Sequence, residues 1–598
     1  MFIYMKMRLF LLFSFLLIII PLHGQSIVWV EPELFSNKGG WSIDAQFIDQ
    51  VGTPYLLAHG LGEPVQNATM SLAFPETGLY HVWARTKDWI PEGGGPGKFM
   101  ISLEGNTIDH IFGSDGVNRW HWEYGGTIRI DAPMIELSLQ DITGFDARCD
   151  AICFSKEKII LPDDLQTIDE YRNKYGEIDK NIIYEKREFD LVVAGGGVAG
   201  ICAAVQAARL GLKVALINNR PVLGGNSSSE IKVSMDGSTF NNKYSKLGRI
   251  VREIDNGEAG ISGDNRLYRD TVRKRIVVNE KNITLFENMH IIDVRQDKNL
   301  IQGLLGMDLL TLKKYYVKGK FFADCTGDGM VGIKAGAEYR YGRESKEQTG
   351  EPSAPDKADN LVMGTSNQWK AIETDVKSLF PIESWMLNFT KDYHFELTQS
   401  VWNWESGFST WHTVDQAEEI RDHNMRAIYS NWAYIKTFKP EKYSTYKLSE
   451  LLYMAGKRES YRLMGDLVLR ENDILYKNEY PDAVVTTTWG IDLHYPDKLN
   501  AKYFPGREFI AYAKHPFKQE DIYTIPYRCF YSKNIMNLFM AGRNISVTHI
   551  ALGAVRVQRC TGMMGEVVAV AAALCKKYNC LPREVYTKHL NELLDSLK

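Results

Sequence analysis

Hydrophobic and polar positions along this chain change rhythm several times, and each change predicts a different structure. Residues 9–20 are almost wholly apolar, behind Lys6 and Arg8 and ahead of Pro21. The run is shorter than the ~20 residues a membrane-spanning helix needs. A basic start, an apolar middle and the small Gly24 read as an export signal over residues 1–24. From 26 to 158 apolar and polar residues alternate between glycines and prolines, as in Ile27-Val28-Trp29-Val30 and Ile135-Glu136-Leu137-Ser138-Leu139. A period of two predicts half-buried strands, and their close spacing predicts an all-β sandwich or jelly roll. Residues 159–188 turn charged and polar and read as a linker. At Leu191-Val192-Val193-Ala194 the pattern becomes a short continuous apolar run, as a parallel strand buried on both faces would be. An alanine-rich helical period comes next over 201–210, then a second strand over 213–217. Helical periodicity returns over 415–436 and 561–574.

Three glycines sit between the first of those strands and its helix. Gly195, Gly197 and Gly200, with Val198 and Ala199 among them, have the G-x-G-x-x-G spacing inside a strand-turn-helix-strand unit. Gly195 permits a tight turn, Gly197 lets the backbone approach a pyrophosphate, and Gly200 lets helix and strand pack closely. The helix N-terminus adds free N–H groups and partial positive charge. This is a dinucleotide site. An acidic residue ordinarily ends the second strand to take the ribose hydroxyls; here that place holds Asn218, a neutral and weaker partner.

Three later stretches resemble one family. After Asn218 and Asn219, Arg220-Pro221-Val222-Leu223-Gly224-Gly225-Asn226 resembles the loop beyond the ribose contact in two-dinucleotide-fold flavoproteins. Ala323-Asp324-Cys325-Thr326-Gly327-Asp328-Gly329 resembles their T-G-D motif, and Leu538-Phe539-Met540-Ala541-Gly542-Arg543-Asn544 their last strand and turn. From 189 to the C-terminus the chain thus resembles the FAD-dependent oxidoreductases, in the broad class of heterodisulfide-reductase-A-like and fumarate-reductase-like proteins. The resemblance implies FAD as cofactor and an α/β fold: a Rossmann-like FAD domain over 189–345 and 527–598, interrupted by a cap or substrate domain over 346–526. It implies cofactor contacts from the three glycines with Val198 and Ala199, and from Asn218, Asn219, Arg220, Gly224, Gly225 and Asn226. Further contacts are implied from Thr326, Gly327, Asp328, Gly542, Arg543, Asn544 and Gly553. It also implies that the helix near 561 points its N-terminus at the flavin ring, where its dipole would stabilise negative charge. Within 26–158, Gly78-Leu79-Tyr80-His81-Val82-Trp83-Ala84-Arg85 resembles a strand of galactose-binding-like modules.

Composition narrows the function. At 598 residues the chain exceeds one core, and its net charge of −4 offers no basic excess for nucleic acid. The mature chain is expected outside the cytoplasm, periplasmic or extracellular, without stable membrane insertion. Eight cysteines form no C-x-x-C pair, so a dithiol reductase is excluded; Cys575 and Cys580 are the one pair spaced to bond across a helix end. There is no second glycine motif for a nicotinamide domain, so an unidentified electron acceptor must serve the flavin. No metal is expected. Thirteen tryptophans favour a flat ligand, and Trp83, Trp89, Trp120 or Trp122 would stack on a sugar if exposed, or pack the core or a domain contact if not.

These features predict oxidation of a hydroxyl on a carbohydrate or related polyol, with a small molecule or oligosaccharide as substrate. His549, in the loop expected to face the ring, or His494 would take the hydroxyl proton. Arg458 and Arg462, read as i and i+4 on one helix face, would position the substrate with Arg528. The same arginines have a structural reading as salt-bridge partners of Glu459 and Asp466. Other functions the pattern permits are redox-assisted glycoside cleavage, dehydrogenation or reduction of a small carboxylate, and glycan binding without catalysis.

Overall fold

A computed structural model describes residues 27–176, 181–240, 242–255, 257, 259–487, 489–516 and 522–598. The export signal predicted over 1–24 lies outside the described residues. Among the described residues no helix is long and apolar enough to cross a membrane.

The central sheet is parallel where the apolar runs predict it. Phe189–Ala194 pairs with Val214–Ile217 on one side and Lys314–Asp324 on the other. Ile283–Phe286 extends one edge and Leu538–Met540 pairs with the end of Lys314–Asp324. The register sets Ile217 opposite Ala194, Ala194 opposite Asp324, and Asp324 opposite Met540. Four carboxyl ends therefore finish flush, and the loops after them converge on one crevice, where open α/β sheets bind ligands. Behind the sheet the glycine-loop helix Val198–Arg209 packs on Gln558–Tyr578, which is longer than its predicted span. A Cβ at Gly565 would lie 2.1 Å from the Ala199 carbonyl oxygen, so only glycine admits so close an approach.

Residues 27–155 form antiparallel sheets. Ile27–Val30, Ala151–Ser155, Gly78–Thr86 and His121–Ile130 make one, and Ala68–Ala73, Met134–Asp141, Phe99–Leu103 and Asn106–Thr107 another. Tyr80, Val82 and Ile152 of the first share a buried core with Ile101, Leu137 and Leu139 of the second. The four tryptophans of this β-module expected to stack on a sugar if exposed are not offered for it. Trp83 and Trp89 are buried; Trp120 donates to Glu418 at 3.0 Å and Trp122 to the Pro162 carbonyl at 3.0 Å. The core and domain-contact alternative is the one realised.

The polar stretch 159–188 is not a linker throughout. Leu165–Tyr175 is a helix capped by Asp164, and it buries Ile168 and Arg172 against the β-module. Arg172 reaches Glu31 at 3.0 Å and Asp150 at 2.7 Å. Its polar composition hides an inward face because the inward charges are paired. Ile182–Tyr184 then joins the edge of Lys314–Asp324.

The inserted region is built from short two-stranded pieces around the helix Ala417–Phe438. Its core of Trp369, Trp404, Tyr429 and Trp432 is continuous with Trp89 and Phe145 of the β-module. Toward its end Val484, Val485 and Ile525 join the core of the dinucleotide domain, so that domain resumes before residue 527. All eight cysteines are buried and none is in a disulfide, Cys575 and Cys580 included.

Candidate functional site

The crevice at the strand ends opens into a cavity of about 880 Å³. Each of the loops that leave the flush strands contributes to its wall: Gly195 to Ala199, Asn218 to Arg220, Gly224 to Asn226, Cys325 to Asp328, and Gly542 with Arg543. Gln558 and Thr561, in the first turn of Gln558–Tyr578, line it as well.

The cradle fits a dinucleotide. Gly195 has φ of +101°, and a Cβ there would strike the Cys325 carbonyl at 2.3 Å. Gly197 faces open space, with nothing nearer to an added Cβ than Gly225 Cα at 4.0 Å, so a ligand can meet bare backbone. Gly200 lies outside the wall; its Cβ would lie 1.8 Å from the Gly195 carbonyl, so it serves the helix–strand contact. Asp328 lies between Lys457 at 2.9 Å and Arg543 at 2.5 Å; burial opposes its charge, but the two cations hold its carboxyl well below the usual range. Arg543 Nε is buried without a hydrogen-bond partner, a donor left over for an anion. Asn218 lines the wall, yet its side chain is spent on backbone: Oδ1 accepts from Gly196 N–H at 3.2 Å and Nδ2 donates to the Arg220 and Val222 carbonyls, both at 2.9 Å.

A second polar group faces the cavity from the inserted region. Glu405, fully buried, accepts a hydrogen bond from His494 Nδ1 and sits 3.3 Å from Arg458 Nε. His494 Nε2 lies 3.2 Å from Asp492 Oδ2 and 3.3 Å from Arg556 Nη2, and Arg556 also bonds Asp492 at 3.0 Å. Burial would raise the Glu405 pKa, but Arg458 and His494 more than offset it and keep the carboxyl below its usual range. Against the same opposing burial, His494 and Arg556 bring Asp492 down to about 2. Burial pushes the Arg458 guanidinium down; its other donors reach Ser366 Oγ at 2.7 Å and the Trp402 carbonyl at 2.8 Å. Trp402 is 43% exposed and meets the His494 ring edge-on at 5.2 Å. Carboxylates thus face both ring nitrogens of His494, and its Nε2 lies beside Asp492 and Arg556, which line the cavity with it; an imidazole on such a wall is a candidate general base.

Residues 190–594 match the profile of the family described as FAD dependent oxidoreductase. The chain belongs to the FAD dependent oxidoreductase family. FAD is its cofactor, and the chain is an FAD-dependent oxidoreductase. Solved structures resemble it more distantly. A geranylgeranyl bacteriochlorophyll reductase-like protein from Thermoplasma acidophilum is 12% identical, covering 69% of this chain and 83% of its own, with a TM-score of 0.31. Sdh1 of Mycobacterium smegmatis in complex with UQ1 is 15% identical over 25% of this chain, with a TM-score of 0.19; the match spans about a third (35%) of Sdh1. Glycerol-3-phosphate dehydrogenase from Bacillus halodurans complexed with FAD is 15% identical over 34% of this chain and 42% of its own, at a TM-score of 0.21.

Within this flavoprotein several predicted site residues stand elsewhere. His549 is not in a loop facing the cavity: it opens the helix His549–Val555, fully buried, with Nδ1 2.9 Å from Glu459. Arg458 and Arg462 do not share a helix face. They flank a turn between the short strands Gly456–Lys457 and Arg462–Leu463, and only Arg458 reaches the cavity. Arg462 is buried against Glu459 and Glu344. Arg528 is clamped to Asp482 at 2.9 Å over the Tyr586 ring, away from the cavity. Asn544 bonds the Asp324 carbonyl at 3.1 Å, and Gly553 packs on the Asp492 backbone, its absent Cβ 2.8 Å from the carbonyl. Glu405, Asp492 and Arg556 have no role assigned by the sequence and enter the site through the fold. Asp492 and His494 are two apart beside a strand, hence on one face, and that spacing is the one signal of the group in the sequence.

Proposed function

We propose that this flavoprotein is exported and oxidises a hydroxyl of a carbohydrate or related polyol, with an unidentified electron acceptor reoxidising the cofactor. The observation that carries the reading is His494 on the cavity wall beneath the exposed ring of Trp402, held at Nδ1 by Glu405 and with Asp492 and Arg556 beside its Nε2. Bound FAD supplies a two-electron acceptor for hydride. The chain's own part is to hold the hydroxyl at His494 Nε2, which takes the O–H proton as the carbonyl forms and hydride leaves carbon. Trp402 offers the flat apolar face on which sugar rings stack, and Ser366 and Gln368 offer hydrogen bonds along the same wall. The N-terminal β-module is read as galactose-binding-like, and the apolar run at 9–20 as the export signal. A carboxylate substrate is less well served, because Arg458 and Arg556 already face Glu405 and Asp492.

The test is the visible spectrum of purified holoenzyme under anaerobic addition of mono- and oligosaccharides. One sugar is expected to bleach the flavin band, and His494→Ala to slow that bleaching by about 10²–10⁴-fold with flavin content unchanged. A band that no sugar disturbs would overturn the carbohydrate reading.

A further inference from the structure

The cavity has a wall that belongs to neither the dinucleotide fold nor the insertion. Ala45, Gln46, Phe47, Asp49 and Gln50 of the β-module line it. The segment is tied down at each end. Gln46 donates to the Tyr453 carbonyl at 2.9 Å and accepts from the Ala455 N–H at 3.0 Å. Gln50 donates to the Val414 carbonyl at 3.1 Å. Asp49 meets Lys334 at 2.9 Å and stands 3.6 Å from His290, which lines the cavity beside the end of the second strand. The ribose of a dinucleotide lies at that strand end, so Asp49 faces the adenosine half.

We propose that the N-terminal β-module is a structural part of the FAD site: residues 45–50 close the adenosine side of the cleft, and FAD binding and docking of the module stabilise each other. The inference rests on FAD as cofactor and is independent of the substrate. Its physical basis is linkage. A ligand that touches two bodies at once favours their association by the factor by which association favours the ligand. The module is then a cofactor-retaining element, and loss of its contacts releases flavin even though every dinucleotide motif is intact.

Ala45→Trp puts bulk into the cavity from the β-module alone. In full-length apoprotein titrated with FAD by flavin fluorescence, it is expected to weaken binding about tenfold or more. Ala45 also packs on Ile48, Met307 and Leu309, so the variant's own apoprotein melt is the reference, and the stabilisation that FAD adds to it should be smaller than in the wild type. Gln46→Ala, which removes two ties without adding bulk, should speed FAD release several-fold. Leu79→Ser, at an exposed β-module position, is the control that leaves binding unchanged. Wild-type affinity in both Ala45→Trp and Gln46→Ala would overturn the proposal while leaving the cofactor assignment standing. A wild type that binds no FAD would overturn both.

Discussion

Asn218 ends the second strand with an amide, and its hydrogen bonds explain why. Its Nδ2 donates to two carbonyls of the adjoining loop while Oδ1 takes the Gly196 N–H, so one side chain fixes the glycine turn and the loop that faces it. A carboxylate has no hydrogen to donate and would confront the Arg220 and Val222 carbonyls at close range. Asn218→Asp, the change that restores the expected acidic residue, should therefore destabilise the protein by ~1–3 kcal/mol and weaken FAD binding. Thermal unfolding with and without FAD checks both. Asn218 was legible as a departure at the right position; its role was not, because its partners are backbone groups whose placement only the folded loop supplies. His549 failed for a related reason. Being near the end of a motif says nothing about which way the next helix will turn the ring.

At the scale of elements, the helix Ala417–Phe438 joins the insertion to the β-module through buried charge. Arg148 contacts Glu418 at 2.7 Å and Asp422 at 2.6 Å, and Arg421 contacts Asp44 at 2.8 Å. Lys87 reaches Glu418 at 3.1 Å and Tyr55 donates to Glu418 at 3.1 Å. Removing one partner from such a cluster leaves the others charged and buried. Arg148→Ala is expected to cost about 3–5 kcal/mol, read by denaturant unfolding. The parallel strands were legible because burial on both faces leaves a continuous apolar run such as Leu191 to Ala194. The helix 417–438 was legible in its period but not in its burial: Glu418, Arg421 and Asp422 look like a solvated face until their partners from the β-module are supplied. The same blindness made Leu165–Tyr175 read as linker and set Arg458 and Arg462 on a helix that does not exist.

For the whole molecule, stability near neutral pH includes a contribution from the long helix behind the cradle. Glu566 of Gln558–Tyr578 accepts from the N–H groups of Gly248 at 2.7 Å and Ile250 at 3.0 Å; burial dominates and pushes its pKa up to about 7. A carboxyl whose folded pKa is raised contributes stability below its unfolded value, near 4.5, and that contribution is lost as pH rises through about 7. Glu566→Gln removes the titration, so wild type minus variant should be more favourable at pH ~5 than at pH ~8 by up to ~3 kcal/mol. Thermal melts of the two proteins at both pH values measure it, whatever constant offset the amide brings. The ion cluster on Ala417–Phe438 has a consequence for ancestry. Arg148 on one side and Glu418 with Asp422 on the other are each a liability without the other, so neither half can be exchanged for an unrelated module by a single recombination. A β-module and an inserted region locked in this way must be inherited together, and substitutions at these positions should travel in pairs.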